Sequence, residues 1–438
     1  MPFLALLFPL QIAAATPTAT ATVTIDDAVG SAIAHHPDAV AAGAQSDVAH
    51  AQARQARAPL LPTLDATGRY GYSWTDIGGG DGVIDDGDGG TGGGFGSGRS
   101  GDSYNASLSG GLLLWDFGQT VNRWRSAVAA SDAAAGDADS VRQSIVLNAR
   151  VAFFDALETR QLIDVARETL ANQERHLSQT EEFVRIGTHP EIDLARLRTQ
   201  VAAARAALIR AENDHLSAKS TLNRTMGVKR SLDYEVAAPK LPALEAESQD
   251  TAQLYAVAVA NRPEYVSARA SVRGQEAGVR AARVWFLPSL RLGADASYSG
   301  QDFGDPTWGA SVGVTLNWNL FDGLASPAAT DAARSQLVIQ EARLTGVEQQ
   351  LWLEVEQARI GVASARAELE SAEQAVTSAR ELLRLAEERY AAGVGNSLEL
   401  SDAQLELATA SAQRVRVDHD LAAARAQLLR ALGRRDWR

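Results

Sequence analysis

The 438-residue chain contains no cysteine. That absence excludes disulfide scaffolds, thiol catalysis, cysteine-held metals and a lipidated N-terminal cysteine. Basic residues are not in excess either: 41 Lys and Arg face 54 Asp and Glu, and a net charge of −13 argues against nucleic acid as a partner. Beyond Ala21 there is no apolar run of about eighteen residues, so no hydrophobic helix spans a bilayer. H-E-x-x-H, G-x-S-x-G and the P-loop are missing, and the 7 histidines are scattered, with His35 and His36 beside the helix break at Pro37. The expectation is a protein with no catalytic residue, no cofactor and no metal centre: not an enzyme.

What is present begins with MPFLALLFPLQIAAATPTATA, an apolar run followed by small residues with A-x-A patterns ending at Ala15 and Ala21. It reads as a secretory signal over residues 1–21, although no Lys or Arg precedes the apolar run. The remainder is a duplication. His36 to Ser73 aligns without gaps with Arg262 to Ser299, with 13 identities in 38 positions at an offset of 226. From Tyr104 onward the offset is 206, so that Gly187 meets Gly393 and Gly227 meets Gly433. The two offsets differ by an insertion in GGGDGVIDDGDGGTGGGFGSGRSGD, Gly78 to Asp102, which holds 13 glycines and 5 aspartates. It lacks the strand and helix of a dinucleotide loop and the terminal Glu of an EF-hand, and reads as a flexible solvated loop.

Each copy carries two segments that alternate with period two, the strand signature. They fall at 63–76 and 103–115 in the first copy and at 289–300 and 307–320 in the second. One face is apolar: Tyr70, Tyr72 and Trp74; Leu112 and Leu114; Val312, Val314, Leu316 and Trp318. The other is rich in Asp, Ser, Asn and Thr. Strands of ten to twelve residues suit a tilted bilayer crossing, with lipid against the first face and water against the second.

Between Gln119 and Arg185 there is no proline and a single glycine, Gly136. A helix over 119–185, at about 1.5 Å per residue, is near 100 Å long. The second copy repeats it over 328–391, where Leu351, Val355, Ala358, Val362, Ala365, Leu369, Ala372, Val376, Ala379, Leu383, Ala386 and Tyr390 follow a 4-3 spacing that implies a coiled coil. Ala156, Ile163, Leu170, Leu177 and Val184 form a weaker seam in the first. Short breaks at IGTHPE and AGVGNS separate these from helices at 190–226 and 397–432. The first repeat is thus expected over 22–227, an inter-repeat segment over 228–260, and the second repeat over 261–438.

Four spanning strands cannot close a barrel, and an open edge in lipid is costly. Three chains supply twelve strands and a ring of helices too long for the bilayer. In this arrangement of motifs, with ARAPLLPTL and ARVWFLPSL before the strands, WDFG and LFDG after them, and ERYAAGVGNSLELSDAQLELATA at the second tip, the chain resembles the outer-membrane efflux protein family, the TolC-like trimeric channel-tunnels. The resemblance implies a membrane α+β fold: a 12-stranded trimeric barrel continuous with a periplasmic coiled-coil tunnel, in the bacterial outer membrane, with strand loops at the cell surface. It also implies a passive conduit of a tripartite efflux or type I secretion system, working with a periplasmic adaptor and an inner-membrane pump of RND, ABC or MFS type. A periplasmic coiled-coil scaffold without channel activity is the alternative.

Counting from the tip glycines, the resemblance implies a periplasmic gate at Asp193, Tyr390, Glu399 and Asp402. It places adaptor docking at the tips, Gly187, Gly393, Arg185 and Arg389. Gly395 stands where some members carry a basic latch residue, leaving Arg185, Arg196 or Arg389 for that role.

Overall fold

A computed structural model describes residues 21–75, 99–187, 190–238, 243–300 and 307–434. The signal expectation falls outside these residues up to position 20, and the Gly/Asp-rich loop does so from 76 to 98. Ala21, the last residue of the expected signal, is the first residue of the first strand. The described elements run β1 (Ala21–Val23), α1 (Ile25–His35), α2 (Pro37–Arg57), β2 (Thr63–Thr75), β3 (Arg99–Trp115), α3 (Gln119–Arg185), α4 (Glu191–Thr225), β4 (Tyr234–Val236), α5 (Thr251–Asn261), α6 (Pro263–Arg283), β5 (Ser289–Gly300), β6 (Thr307–Asn317), α7 (Ala325–Ala391) and α8 (Ser397–Ala431).

Three boundaries differ from the sequence reading by three residues or more. Residues 99–102 extend β3 rather than belonging to the loop, since Arg99 to Asp102 continue the ladder opposite Tyr72 to Thr75. β6 ends at Asn317, three residues short of 320. The second long helix starts at Ala325 instead of 328, because Pro327 sits in the first turn, where no intrahelical amide partner is needed. Each strand-to-helix turn uses two successive residues of positive φ, Phe117 and Gly118 in one copy and Gly323 and Leu324 in the other. The preceding aspartate caps the helix: Thr120 N donates to Asp116 Oδ2 at 2.7 Å and Ser326 N to Asp322 Oδ2 at 3.0 Å.

The chain divides into two units. One comprises Ser46–Ala135 and Ser267–Thr345 and contains an antiparallel sheet in the order β2-β3-β5-β6. The other comprises Met1–Gln45, Gly136–Val266 and Gly346–Arg438. There β1 and β4 pair in parallel, and Val23, Phe153, Phe154, Leu222, Met226 and Tyr234 bury together around them. A second core gathers Leu254, Val355, Val362, Leu421, Leu428 and Leu432 from α5, α7 and α8. At about 1.5–3 kcal/mol per buried Val, Leu or Phe, such seams rather than helix propensity hold these helices.

The α7 seam is buried from Leu351 to Tyr390, with Leu369 half-buried. α3 departs from its expected seam. Ala156 and Ile163 are buried, but nearer the tip Leu170, Leu177 and Val184 are only half-buried, while Gln173, His176 and Thr180 are enclosed. The reason is that this part of α3 meets α7 as well as α4, so its buried face turns toward Tyr390.

The duplication shows most sharply where each repeat closes. α4 ends on Gly227 and α8 on Gly433, both at φ +71. A Cβ on Gly227 would lie 2.6 Å from the His35 carbonyl, and one on Gly433 would lie 2.7 Å from that of Asn261. His35 and Asn261 precede the breaks that Pro37 and Pro263 impose, so each hairpin seats its last turn against the same kink in its own repeat.

Candidate functional site: a two-faced sheet and a carboxylate-lined tip

In the sheet, residues directly opposite share a face. Tyr70 pairs with Tyr104, Leu112 with Leu292, Val314 with Leu292, Leu316 with Leu290, and Trp308 with Tyr298. These make one apolar face, on which Tyr70, Tyr72, Trp74, Val312, Val314 and Leu316 are well exposed and Leu112 half-exposed. The opposite face carries Asp65, Thr67, Asn105, Ser107, Asp295, Ser311 and Thr315, with Thr67 and Ser107 bonded at 2.6 Å.

Two residues of the expected apolar stripe stand outside the regular ladder. A bulge between Leu113 and Trp115 makes Leu114 the extra residue, and Trp115 takes the place opposite Leu290. Trp318 lies beyond β6, where its Nε1 donates to the Phe286 carbonyl at 3.0 Å. Aromatic side chains therefore mark both ends of the sheet: Tyr70, Tyr72, Trp74, Tyr104, Tyr298 and Trp308 at one, Trp115, Phe117, Phe286 and Trp318 at the other. Such girdles sit at the two membrane interfaces of spanning barrels.

At the tip of α7 and α8, Gly393 at φ +73 turns the chain, and the amides of Val394 and Gly395 donate to the Arg389 carbonyl at 3.0 and 2.9 Å. Asn396 caps α8, accepting from the Glu399 amide at 2.7 Å. A side chain at Gly395 would press on the Arg389 and Tyr390 backbone. On the other tip, Gly187 turns at φ +80 and Arg185 is engaged by Glu182 one turn back.

The structure brings part of the predicted set together. Tyr390 is buried; its hydroxyl meets Thr180 at 3.0 Å, His176 packs edge-on at 5.0 Å and Phe183 at 6.0 Å. Burial pushes its pKa above the ordinary phenol value; Thr180 partly offsets this and the Asp193 carboxylate adds to it. Tyr390 thus joins α3 to α7, with Asp193 near enough to feel its charge. Glu399, Asp402 and Glu406 line one groove of about 780 Å³ with Leu382 and Leu398. Arg389 reaches Glu399 at 3.1 Å, a pair between exposed side chains that contributes about 0–1 kcal/mol. Glu406, one turn past Asp402, escaped notice because nothing in its own spacing marks it apart from a solvated helix face.

A sheet with one apolar and one polar face, aromatic residues at both ends and long coiled helices define an outer-membrane barrel-forming channel component. The family model for the outer membrane efflux protein matches residues 28–228 and 254–434. The chain belongs to that family. It is similar to the outer membrane efflux protein BepC of Brucella suis biovar 1, with 26% identity over 334 residues, 74% of this chain and 70% of that protein. It is also similar to the pyoverdine export outer membrane protein OpmQ of Pseudomonas putida, with 26% identity over 346 residues, 76% and 71%. Its fold matches VceC from Vibrio cholerae at a TM-score of 0.77 and 18% identity, covering 93% of this chain and 96% of that one. CmeC from Campylobacter jejuni gives 0.77 and 17%, covering 93% and 85%. The protein is accordingly an outer-membrane efflux channel with a TolC-like fold, its helical tunnel on the periplasmic side.

Proposed function

We propose that three copies assemble into one conduit that passes substrates from a periplasmic adaptor and an inner-membrane pump of RND, ABC or MFS type to the cell exterior, and that Glu399 and Asp402 ring its periplasmic mouth. The observation that carries the assembly is the sheet: β2 and β6 each leave an edge unpaired among the described residues, on a sheet whose exposed apolar face suits lipid. Tyr70, Tyr72, Trp74, Leu112, Leu114, Val312, Val314, Leu316 and Trp318, with Trp115 beside Leu114 at the bulge, meet lipid in this reading.

The gate reading is supported by the groove in which Glu399 and Asp402 sit three residues apart on one helix face. Three copies would place six carboxylates around one opening, which favours cations and is blocked by polyvalent ones. Tyr390 and Asp193 belong to the same tip, and Tyr390 holds α7 to α3 while the mouth is closed. Ile186, Ile192, Val394 and Leu398 are exposed apolar residues beside Gly187, Gly393, Arg185 and Arg389, a surface suited to the adaptor. Planar-bilayer recording tests the gate: Glu399→Ala with Asp402→Ala should raise single-channel conductance and abolish block by trivalent cations. Unchanged conductance and unchanged block would place the constriction elsewhere.

A further inference from the structure

Asp155 and Glu158 lie three residues apart on α3, hence on one helix face. From the other repeat, α8 brings His419 against them. A carboxylate oxygen from each and a ring nitrogen of His419 all lie within 4.8 Å of one another, with His419 Nδ1 at 3.9 Å from Glu158 Oε2. The histidine is enclosed, with 7% of its surface exposed; its ring also bonds the Phe154 backbone, and Nε2 has no hydrogen-bond partner among the described residues. Its ring is held edge-on to Phe154 at 5.7 Å.

The surroundings are acidic and partly desolvated. Burial, then the Asp420 charge, raises the pKa of Asp155; burial, then Asp155 and Asp420, raises that of Glu158, and only Arg416 opposes. Like charges held close in a partly desolvated place repel one another, and a bound cation removes that repulsion. Burial also pushes His419 down to about 4, the hydrogen bond to the Phe154 backbone opposing, so the imidazole is uncharged at neutral pH.

We propose that Asp155, Glu158 and His419 bind a divalent transition-metal ion of the zinc type, tying α3 of the first repeat to α8 of the second. One imidazole and two carboxylates form a mixed nitrogen and oxygen donor set, which suits zinc and its neighbours, whereas magnesium and calcium favour oxygen alone. Ligands about 2.1 Å from one ion are at most about 4.2 Å apart, so the site needs only a small closure. Asp155 is exposed and can swing inward, while His419 is fixed by its packing. Three protein ligands leave coordination positions for water. The inference rests on this cluster alone and is independent of the gate at Glu399 and Asp402.

The test uses the untagged full-length protein in detergent, stripped with a chelator and titrated with Zn²⁺ against a chromogenic competitor. One Zn²⁺ per chain is expected, weakened at least tenfold in Glu158→Gln, Asp155→Asn and His419→Gln. Zinc should raise the melting temperature of the parent and not of the variants. Co²⁺ in the same site should give visible d–d bands that disappear in His419→Gln. Asp155→Asn, at an exposed position, keeps the test valid should the buried substitution impair folding. Absence of stoichiometric zinc on the parent protein overturns the proposal, and so does binding of equal affinity in Asp155→Asn and Glu158→Gln.

Discussion

Replacing Arg262 by alanine should destabilise the protein more than any exposed ion pair could. Arg262 occupies the break between α5 and α6 with 2% of its surface exposed. Its Nε donates to Glu264 at 2.9 Å, and Nη2 donates to Glu264 at 3.1 Å and to Glu354 at 2.8 Å. Nη1 donates to the carbonyls of Arg430 and Ala431 at 3.2 and 3.4 Å, so one guanidinium ties the break to α7 and to the end of α8. Removing it takes the guanidinium from two carboxylates, which keep Ser140 and Gln350 as hydrogen-bond donors with Arg430 at 3.9 and 3.8 Å. It also takes a donor from two helix-terminal carbonyls, of which that of Arg430 keeps the Gly433 amide. Breaking a buried pair from one side costs about 3–5 kcal/mol, and since Glu264 and Glu354 retain about a quarter of their exposure the lower end applies. About 3 kcal/mol corresponds to a change of roughly a hundredfold in the folding equilibrium.

The pH dependence gives this prediction a second, independent reading. Burial raises the Glu264 pKa, but the hydrogen bond and charge of Arg262 outweigh it and leave the group below its ordinary value. A carboxylate depressed in the folded state contributes stability above its unfolded pKa, and that contribution is lost as pH falls through the folded value. The gap between parent and Arg262→Ala should therefore be full at pH 7 and narrow below about pH 4. Equilibrium denaturation followed by circular dichroism at both pH values measures it. Arg262→Lys should restore less than half, since an ammonium cannot fork between two carboxylates. A loss under about 1 kcal/mol at neutral pH, or a gap that stays constant down to acid, would refute the reasoning.

The closing glycines make a sharper demand on space. Gly227→Ala and Gly433→Ala should each cost more than the roughly 1 kcal/mol of an ordinary left-handed site, because the new Cβ also meets backbone at 2.6 and 2.7 Å; thermal melts of the two variants decide it. Tyr390→Phe removes the 3.0 Å bond to Thr180, worth about 1 kcal/mol, and should raise the open probability in planar bilayers, whereas Tyr390 acting only as packing would leave it unchanged. His419 takes up its proton near pH 6.5 when unfolded but only at about 4 when folded, so the unfolded chain binds more protons between those values. Its contribution should fall by about 3 kcal/mol per chain as pH drops from 6.5 to 4, a slope absent from His419→Gln in metal-free denaturation curves.

Much of the fold is legible because its elements are long and its periods clean. The 67-residue helix α3 announces itself by the lack of proline, α7 by the lack of proline beyond its first turn, and the α7 seam by residues that face inward. α3 is less legible because two neighbours divide its surface, which buries Gln173, His176 and Thr180 where a heptad would demand apolar side chains. Period two finds the strands but not the bulge at Leu114, since one inserted residue leaves the alternation on either side intact. Pro327 looks like a boundary until its place in the first helical turn is known. Nothing in the local sequence marks Arg262 as buried, and the return of α7 and α8 encloses it. Asp155 and Glu158 meet His419 across the duplication, a proximity with no local signature.

The sheet holds four strands in strict antiparallel succession, so its outer members β2 and β6 run in opposite directions. An even number has a geometric consequence for assembly. When β6 of one copy meets β2 of the next around a rotation axis, the seam is itself antiparallel, with the same ladder as the joints inside each chain. An odd number would force a parallel joint at every seam. In the proposed assembly such a contact would be head to tail: a pairing of like edges across a twofold would leave the other edge of each copy open, whereas a closed ring leaves no strand of the sheet without a neighbour.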